Sequence, residues 1–140
     1  MIVFDTNVVS ELMRPEPAAA VVDWVDRQPA ADVYLTAITV AELLYGVARL
    51  PEGRRKTDIA ERVEAILSED FEHRVVAFDE TAAAHYADIV VRRERGGRPI
   101  STADAQIAAT CRSHGAVLAT RNVDDFAGAS VSIIDPWVSH

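Results

Sequence analysis

The apolar run Ile2-Val3-Phe4 stops abruptly at an acid, Asp5, and then gives way to Thr6-Asn7, residues suited to opening a helix. A buried parallel strand reads this way, presenting a carboxylate at its C-terminal edge, where open α/β sheets place their ligands. The pattern recurs along the chain. Residues 33–35, 74–78, 117–119 and 131–134 are further short strand-like runs, and helical periodicity fills the intervals between them. The spacing predicts helices over 8–13, 17–27, 40–49, 55–71, 80–95 and 102–114. Pro15, Leu50-Pro51-Glu52-Gly53, the loop Gly96-Gly97-Arg98-Pro99 and Gly115 act as breakers. The 55–71 segment is amphipathic, with Ile59, Val63, Ile66 and Leu67 on one face. Such alternation predicts an α/β fold, a mainly parallel central sheet flanked by helices on both faces, in a single domain over 1–140.

At 140 residues and 49% hydrophobic the chain is long and apolar enough to bury a real core. No apolar run approaches the roughly 18 residues that span a bilayer. The N-terminus lacks the basic flank and long apolar core of a secretory signal, so a cytoplasmic location is expected. The single cysteine, Cys111, excludes an internal disulfide and sits in an alanine-rich helical pattern as a small buried hydrophobe.

A net charge of −8 argues against general electrostatic binding of polyanions. The charges are segregated, however: acids crowd residues 58–72, while basic residues cluster at Arg54-Arg55-Lys56 and at Arg92-Arg93, Arg95 and Arg98. Of the 14 basic residues only Lys56 is not arginine, and arginine suits bidentate phosphate contacts. An Arg-, Ala- and Val-rich composition, as follows from GC-rich coding, is the favoured account of that bias.

Three acids open helical patterns. Asp5 follows its strand directly and reads either as a ligand-facing carboxylate or as a helix cap, a role Thr6 or Asn7 could also fill. Glu42, in Thr39-Val40-Ala41-Glu42, has the spacing of a capping box in which Thr39 caps and Glu42 reaches back. Asp104 lies three residues after Ser101, a variant of the same box. The helix beyond it is small and apolar (Ala105, Ile107, Ala108, Ala109), so it packs closely on the sheet and holds Asp104 at the cleft. After the fourth strand come Asn122, able to coordinate through its carbonyl oxygen or to bond a metal-bound water, and Asp125, expected to cap the next turn.

Gathered carboxylates raise one another's pKa and persist best around a cation. Mg²⁺ and Mn²⁺ favour oxygen ligands, polarise phosphoryl oxygen and activate water. Other chemistries lack support. His73, His85, His114 and His140 show no metal-ligand spacing, and Walker A, G-x-G-x-x-G and G-x-S-x-G motifs are missing.

Four segments in order resemble the PIN-domain family, specifically the toxin nucleases of VapBC-type type II toxin–antitoxin pairs (the FitB-like branch). They are residues 2–11, Thr39-Val40-Ala41-Glu42-Leu43-Leu44-Tyr45-Gly46, residues 101–108 and residues 118–126. The closing Ile134-Asp135-Pro136-Trp137 is similar as well. The resemblance implies a PIN-like fold and a Mg²⁺- or Mn²⁺-dependent endoribonuclease, with Asp5, Glu42 and Asp104 as the catalytic, metal-binding acids. Thr6, Asn122 and Asp125 would assist, and Arg14, Arg92, Arg93 and Arg98 would steer RNA. Family members often carry a fourth acid where Asn122 stands. The resemblance also implies a homodimer and a cognate antitoxin whose C-terminal segment blocks the cleft. The competing reading is a degenerate PIN module that binds RNA or a partner protein without cutting. A receiver-type phospho-acceptor domain is disfavoured, since the only lysine, Lys56, lies in the wrong part of the chain.

Overall fold

The computed structural model describes residues 1–138, so His140 lies outside the described residues. Five strands, β1 (Ile2–Phe4), β2 (Val33–Thr36), β3 (Val75–Val76), β4 (Val117–Ala119) and β5 (Ser132–Ile134), form one sheet in the order β3-β2-β1-β4-β5. Every neighbouring pair is parallel. The order reverses at β1, and the crevice beyond the carboxyl ends of β1 and β4 is the switch point at which such sheets bind ligands.

Side-chain alternation along β1 sorts the core onto two faces. Phe4 points into a cluster with Val8, Trp24, Leu35, Leu43, Val63 and Phe71, which draws on α1 (Thr6–Leu12), α2 (Ala19–Asp26), α3 (Ala37–Ala48) and α4 (Arg54–Ala65). Its ring lies 5.8 Å from Trp24 and 6.1 Å from Phe71. Val3 points the other way, into Ile89 of α5 (Glu80–Arg95) and Ile107, Ala108 and Cys111 of α6 (Thr102–Ser113). The small residues of α6 let it lie close to the sheet, as expected. Cys111 is buried, and burial pushes its thiol up to about 12, consistent with an inert packing residue.

The predicted elements are present, with shifts at their starts that have local causes. Asp5 itself caps α1, its Oδ1 accepting from the Thr6 amide at 2.9 Å, so the helix begins at Thr6 rather than at residue 8. The α2 helix begins two residues beyond Pro17, because the Ala18 amide is drawn 2.9 Å to Glu11 Oε2 and the backbone there stays non-helical. Thr36, not Thr39, caps α3: its hydroxyl accepts from the Thr39 amide at 3.1 Å. The predicted 55–71 helix is α4 followed by a π-helical turn, Ile66–Asp70, which delivers Phe71 to the core. The third strand shrinks to two residues at the sheet edge. Among the described residues no helix is long and apolar enough to cross a membrane.

Candidate active site

Asp5, Glu42 and Asp104 line one cleft of about 460 Å³ at the switch point, together with Thr6, Asn7, Ser10, Glu11, Arg14, Arg121, Asn122 and Trp137. Residues from the junction of β1 and α1, from α1, α3 and α6, and from the loops after β4 and β5 therefore converge there. The volume falls within the range of small-ligand sites.

Asp5 is the centre of this arrangement and is buried, at 5% exposure. The Phe4–Ala119 register and the 2.9 Å bond from the Asp5 amide to the Ala119 carbonyl set it beside Thr120. Thr120 donates its hydroxyl to Asp5 Oδ2 at 2.8 Å, and accepts from Asn7 Nδ2 at 3.2 Å and from the Asn122 amide at 3.0 Å. Asn7 Oδ1 in turn accepts from the Arg121 amide at 3.3 Å, tying the loop after β4 to the start of α1. Burial pushes the Asp5 carboxyl above its ordinary 3.8. The Thr120 hydroxyl and Thr6 amide oppose that rise, while the charges of Asp104 and Glu42 add to it.

Glu42 is not part of a capping box. With Thr36 as the cap of α3, Glu42 falls in the second turn, out of reach of the cap amide, and Thr6 donates its hydroxyl to Glu42 Oε1 at 2.7 Å. That bond joins α3 to α1 across the cleft mouth, while the cap at Thr36 removes the capping-box explanation for the acid. Asp104 does occupy the third position of a helix capped by Ser101, whose hydroxyl accepts from the Asp104 amide at 3.2 Å. Its carboxyl is also raised, first by burial; Ser101 and the charge of Arg93 oppose this, and the charge of Asp125 reinforces it.

The remaining residues divide sharply. Asn122 is exposed on the cleft wall. Asp125 was expected to cap a turn but lies inside one, the 3₁₀ turn Val123–Phe126, where its charge reaches Asp104. Arg14 borders the cleft and pairs with Glu11 at 3.1 Å. Arg92 pairs with Asp88 at 3.0 Å and Arg98 donates to the Asp124 carbonyl at 3.2 Å; neither borders the cleft. Arg93, expected to steer RNA, requires correction: it is buried, with Nε bonded to the Arg98 carbonyl at 2.6 Å and Nη1 to those of Asp125 and Ala127 at 2.7 and 2.9 Å. Its guanidinium is consumed by the fold.

Sequence reasoning missed Ser10, Glu11 and Trp137 as site residues, placed Thr120 and Arg121 in a polar cluster facing the cleft without assigning either a role, and saw Asn7 only as a cap. The available signal for Thr120 and Arg121 was their place directly after a strand beside β1. Nothing in the local pattern marks Glu11, a buried acid whose carboxyl is held below its ordinary 4.5, first by the Ala18 amide and then by Arg14.

Among the described residues no three acids, histidines or cysteines are gathered closely enough to enclose a metal ion by themselves. A hard divalent ion needs fewer, since Mg²⁺ usually takes one or two carboxylates and completes its shell with water and substrate phosphate. Asp5 Oδ1 accepts one hydrogen bond, and only one oxygen of Glu42 is engaged, so both acids retain acceptor capacity. The donor set is all oxygen and fits such an ion.

Residues 2–130 match the model of the PIN domain. The chain is 44% identical over 137 residues to a VapC ribonuclease, Y4jK, of Sinorhizobium fredii, covering 98% of each. It is 45% identical to toxin FitB of Neisseria gonorrhoeae, covering 98% of this chain and 99% of the other. A solved structure of FitAB bound to a DNA fragment superposes with a TM-score of 0.93 at 44% identity, covering 100% of this chain and 98% of that one. The chain belongs to the PIN-domain family.

Proposed function

We propose that this chain is the toxin of a type II toxin–antitoxin pair, a cytoplasmic endoribonuclease built as one PIN domain. The observation that carries the reading is the convergence of Asp5, Glu42 and Asp104 on one cleft, each residue held in place by hydrogen bonds. Thr120 and the Thr6 amide orient Asp5, Thr6 orients Glu42, and the cap of α6 orients Asp104. Asp5, with Glu42 or Asp104, would hold Mg²⁺ or Mn²⁺, which when bound neutralises phosphoryl charge and makes a coordinated water more acidic. Asn122 offers a neutral oxygen on the same wall, and Arg14 a cation at the entrance. The names of the FitB and VapC relatives support both the toxin role and ribonuclease chemistry.

A second groove of about 780 Å³ runs between α1, α3 and α4 and shares Thr6, Ser10, Arg14 and Glu42 with the cleft. Met13, Leu43, Val47, Leu50, Ile59 and Val63 make it apolar. This continuity supports an antitoxin segment that seats an apolar face there and closes the cleft. A homodimer completes the proposal.

The test uses purified full-length chain and a panel of structured RNAs titrated with Mn²⁺. Cleavage that Mn²⁺ stimulates and that Asp104→Asn and Glu42→Gln abolish, with circular dichroism unchanged, is the expected result. Undiminished cleavage by both variants overturns the assignment of the acids. Binding without Mn²⁺-stimulated cleavage favours the non-cutting alternative, for which the neutral Asn122 is the specific support.

A further inference from the structure

Arg121 differs from the other arginines around the site. It lines the cleft with the three acids, and its amide is anchored by Asn7 Oδ1 at 3.3 Å. Its guanidinium carbon lies 5.1 Å from the centre of the Trp137 ring. The platform beneath it is fixed. Trp137 follows β5 in an Asx turn, its amide donating to Asp135 Oδ1 at 2.9 Å, next to the buried Pro136, and its indole packs against the Phe4 cluster. Arg121 makes no ion pair among the described residues, whereas Arg14 is paired with Glu11, and Arg92 and Arg112 with Asp88. Its charge is nonetheless felt within the cleft, where it helps to hold the Glu11 carboxyl down.

Stacking on an indole occupies the face of a guanidinium and leaves its in-plane N–H fork for a second partner. That fork matches two non-bridging phosphate oxygens, and a lysine cannot reproduce it. The rest of the cleft lining carries four carboxylates against one other cation, Arg14, which is paired with Glu11, so an incoming polyanion needs a further fixed cation there.

We propose that Arg121, stacked on Trp137, is the phosphate subsite of the cleft, gripping one backbone phosphate of RNA while Asp5, Glu42 and Asp104 face the neighbouring linkage. The assignment rests on the ribonuclease reading. Arg121 holds the substrate in register, and Trp137 acts through Arg121 as a positioning residue.

The experiment is a coupling cycle between the protein and single phosphates. A fluorescein-labelled, single-stranded oligoribonucleotide carries one neutral methylphosphonate at successive linkages. Its binding is measured by anisotropy to full-length protein in the Asp104→Asn background, which leaves the RNA intact. One linkage should cost about tenfold in affinity when neutralised, the scale of a lost charged hydrogen bond. Arg121→Ala should lose a similar factor on unmodified RNA and nothing further at that linkage. Arg121→Lys should lose most of it despite keeping the charge, Trp137→Leu part of it, and Trp137→Phe little.

Equal sensitivity of the parent and Arg121→Ala at every linkage overturns the subsite, as does a fully competent Arg121→Lys or a parent that binds no RNA. Coupling at one linkage in a protein whose unsubstituted form cuts no RNA leaves the subsite standing and removes the ribonuclease reading. Cleavage without coupling removes the subsite alone.

Discussion

Thr120 and Asp5, 115 positions apart in sequence, are joined by a 2.8 Å hydrogen bond from the threonine hydroxyl to Oδ2. The bond exists because β4 lies parallel to β1 in a register that ends both strands at the same level. It connects the sheet to the chemistry: the residue after one strand sets the carboxylate after its neighbour. Thr120 also accepts from Asn7 and from the Asn122 amide, so one hydroxyl organises three cleft residues.

Thr120→Val keeps the shape and removes the hydroxyl. It strips the Asn122 amide of its partner and leaves Asn7 Nδ2 and Asp5 Oδ2 only the 3.5 Å bond between them, at a cost of about 1–3 kcal/mol in urea unfolding. The Asp5 carboxyl, already raised by burial, rises further when an opposing hydrogen bond is lost. The acidic limb of the pH–rate profile should therefore move to higher pH. Thr120→Ser, which retains the hydroxyl, should restore both the stability and the limb.

Asp104 and Glu11 predict opposite pH dependences of stability. Burial lifts the folded Asp104 carboxyl above its ordinary 3.8, so the folded state binds that proton more tightly. Its contribution is complete below the ordinary value and is lost as pH rises through the folded one. Asp104→Asn should gain thermal stability relative to the unsubstituted chain as pH rises toward neutrality in chelator. The folded Glu11 carboxyl lies below its ordinary 4.5, and its contribution is present above that value and lost as pH falls through the folded one. Glu11→Gln should be destabilised at neutral pH, with the difference closing in acid. Both are read as Tm against pH. Adding Mn²⁺ should raise the Tm of the unsubstituted chain, by about 2.7 kcal/mol of stabilisation at a hundredfold excess over Kd, and leave Asp104→Asn nearly unmoved.

The strands and the acid after β1 were readable because short apolar runs ending in polar residues report directly on burial. Helix starts were less readable. Thr36 and Thr39 are both competent caps, and the choice between them depends on where β2 stops pairing with β3, a tertiary fact. Glu42 consequently carried a capping-box explanation that the cap at Thr36 removes. Arg93 and Arg121 illustrate the same limit. Arg93 sits in an arginine cluster and Arg121 stands alone, yet the nearby Arg98 carbonyl and two carbonyls from the segment after β4 bury the first, while an indole in the cleft displays the second. Charge clustering in sequence reports neither burial nor stacking.

The reassigned cap makes a separable prediction for α3. Thr36→Ala removes the acceptor for the Thr39 amide and should cost about 1 kcal/mol, the usual loss for a helix N-cap. Thr39 also serves Thr36, through a 3.1 Å bond between the hydroxyls. Glu42→Gln should leave stability within about 0.5 kcal/mol, as for a site outside the cap, while cleavage is lost. A capping box centred on Thr39, which accepts glutamine as well as glutamate at its third position, requires instead that Thr36→Ala leave the helix unweakened. Chemical denaturation of the two variants, alongside cleavage assays, separates these outcomes.

Arg93 offers the sharpest contrast between a charge that binds RNA and one that builds the site. Two of its three carbonyl bonds pin the segment carrying Asp125 and Ala127 to the end of α5, and its charge reaches Asp104. Arg93→Met keeps much of the buried stem but orphans those carbonyls, and should destabilise the fold by about 3 kcal/mol or more. The Asp104 carboxyl loses an opposing cation and rises, so residual cleavage should need higher pH. RNA steering predicts a different signature: unchanged stability and a weaker dependence of KM on salt. Measuring urea midpoints together with KM at several salt concentrations distinguishes the two. A stable Arg93→Met with a flattened salt dependence would return this arginine to the RNA-binding surface.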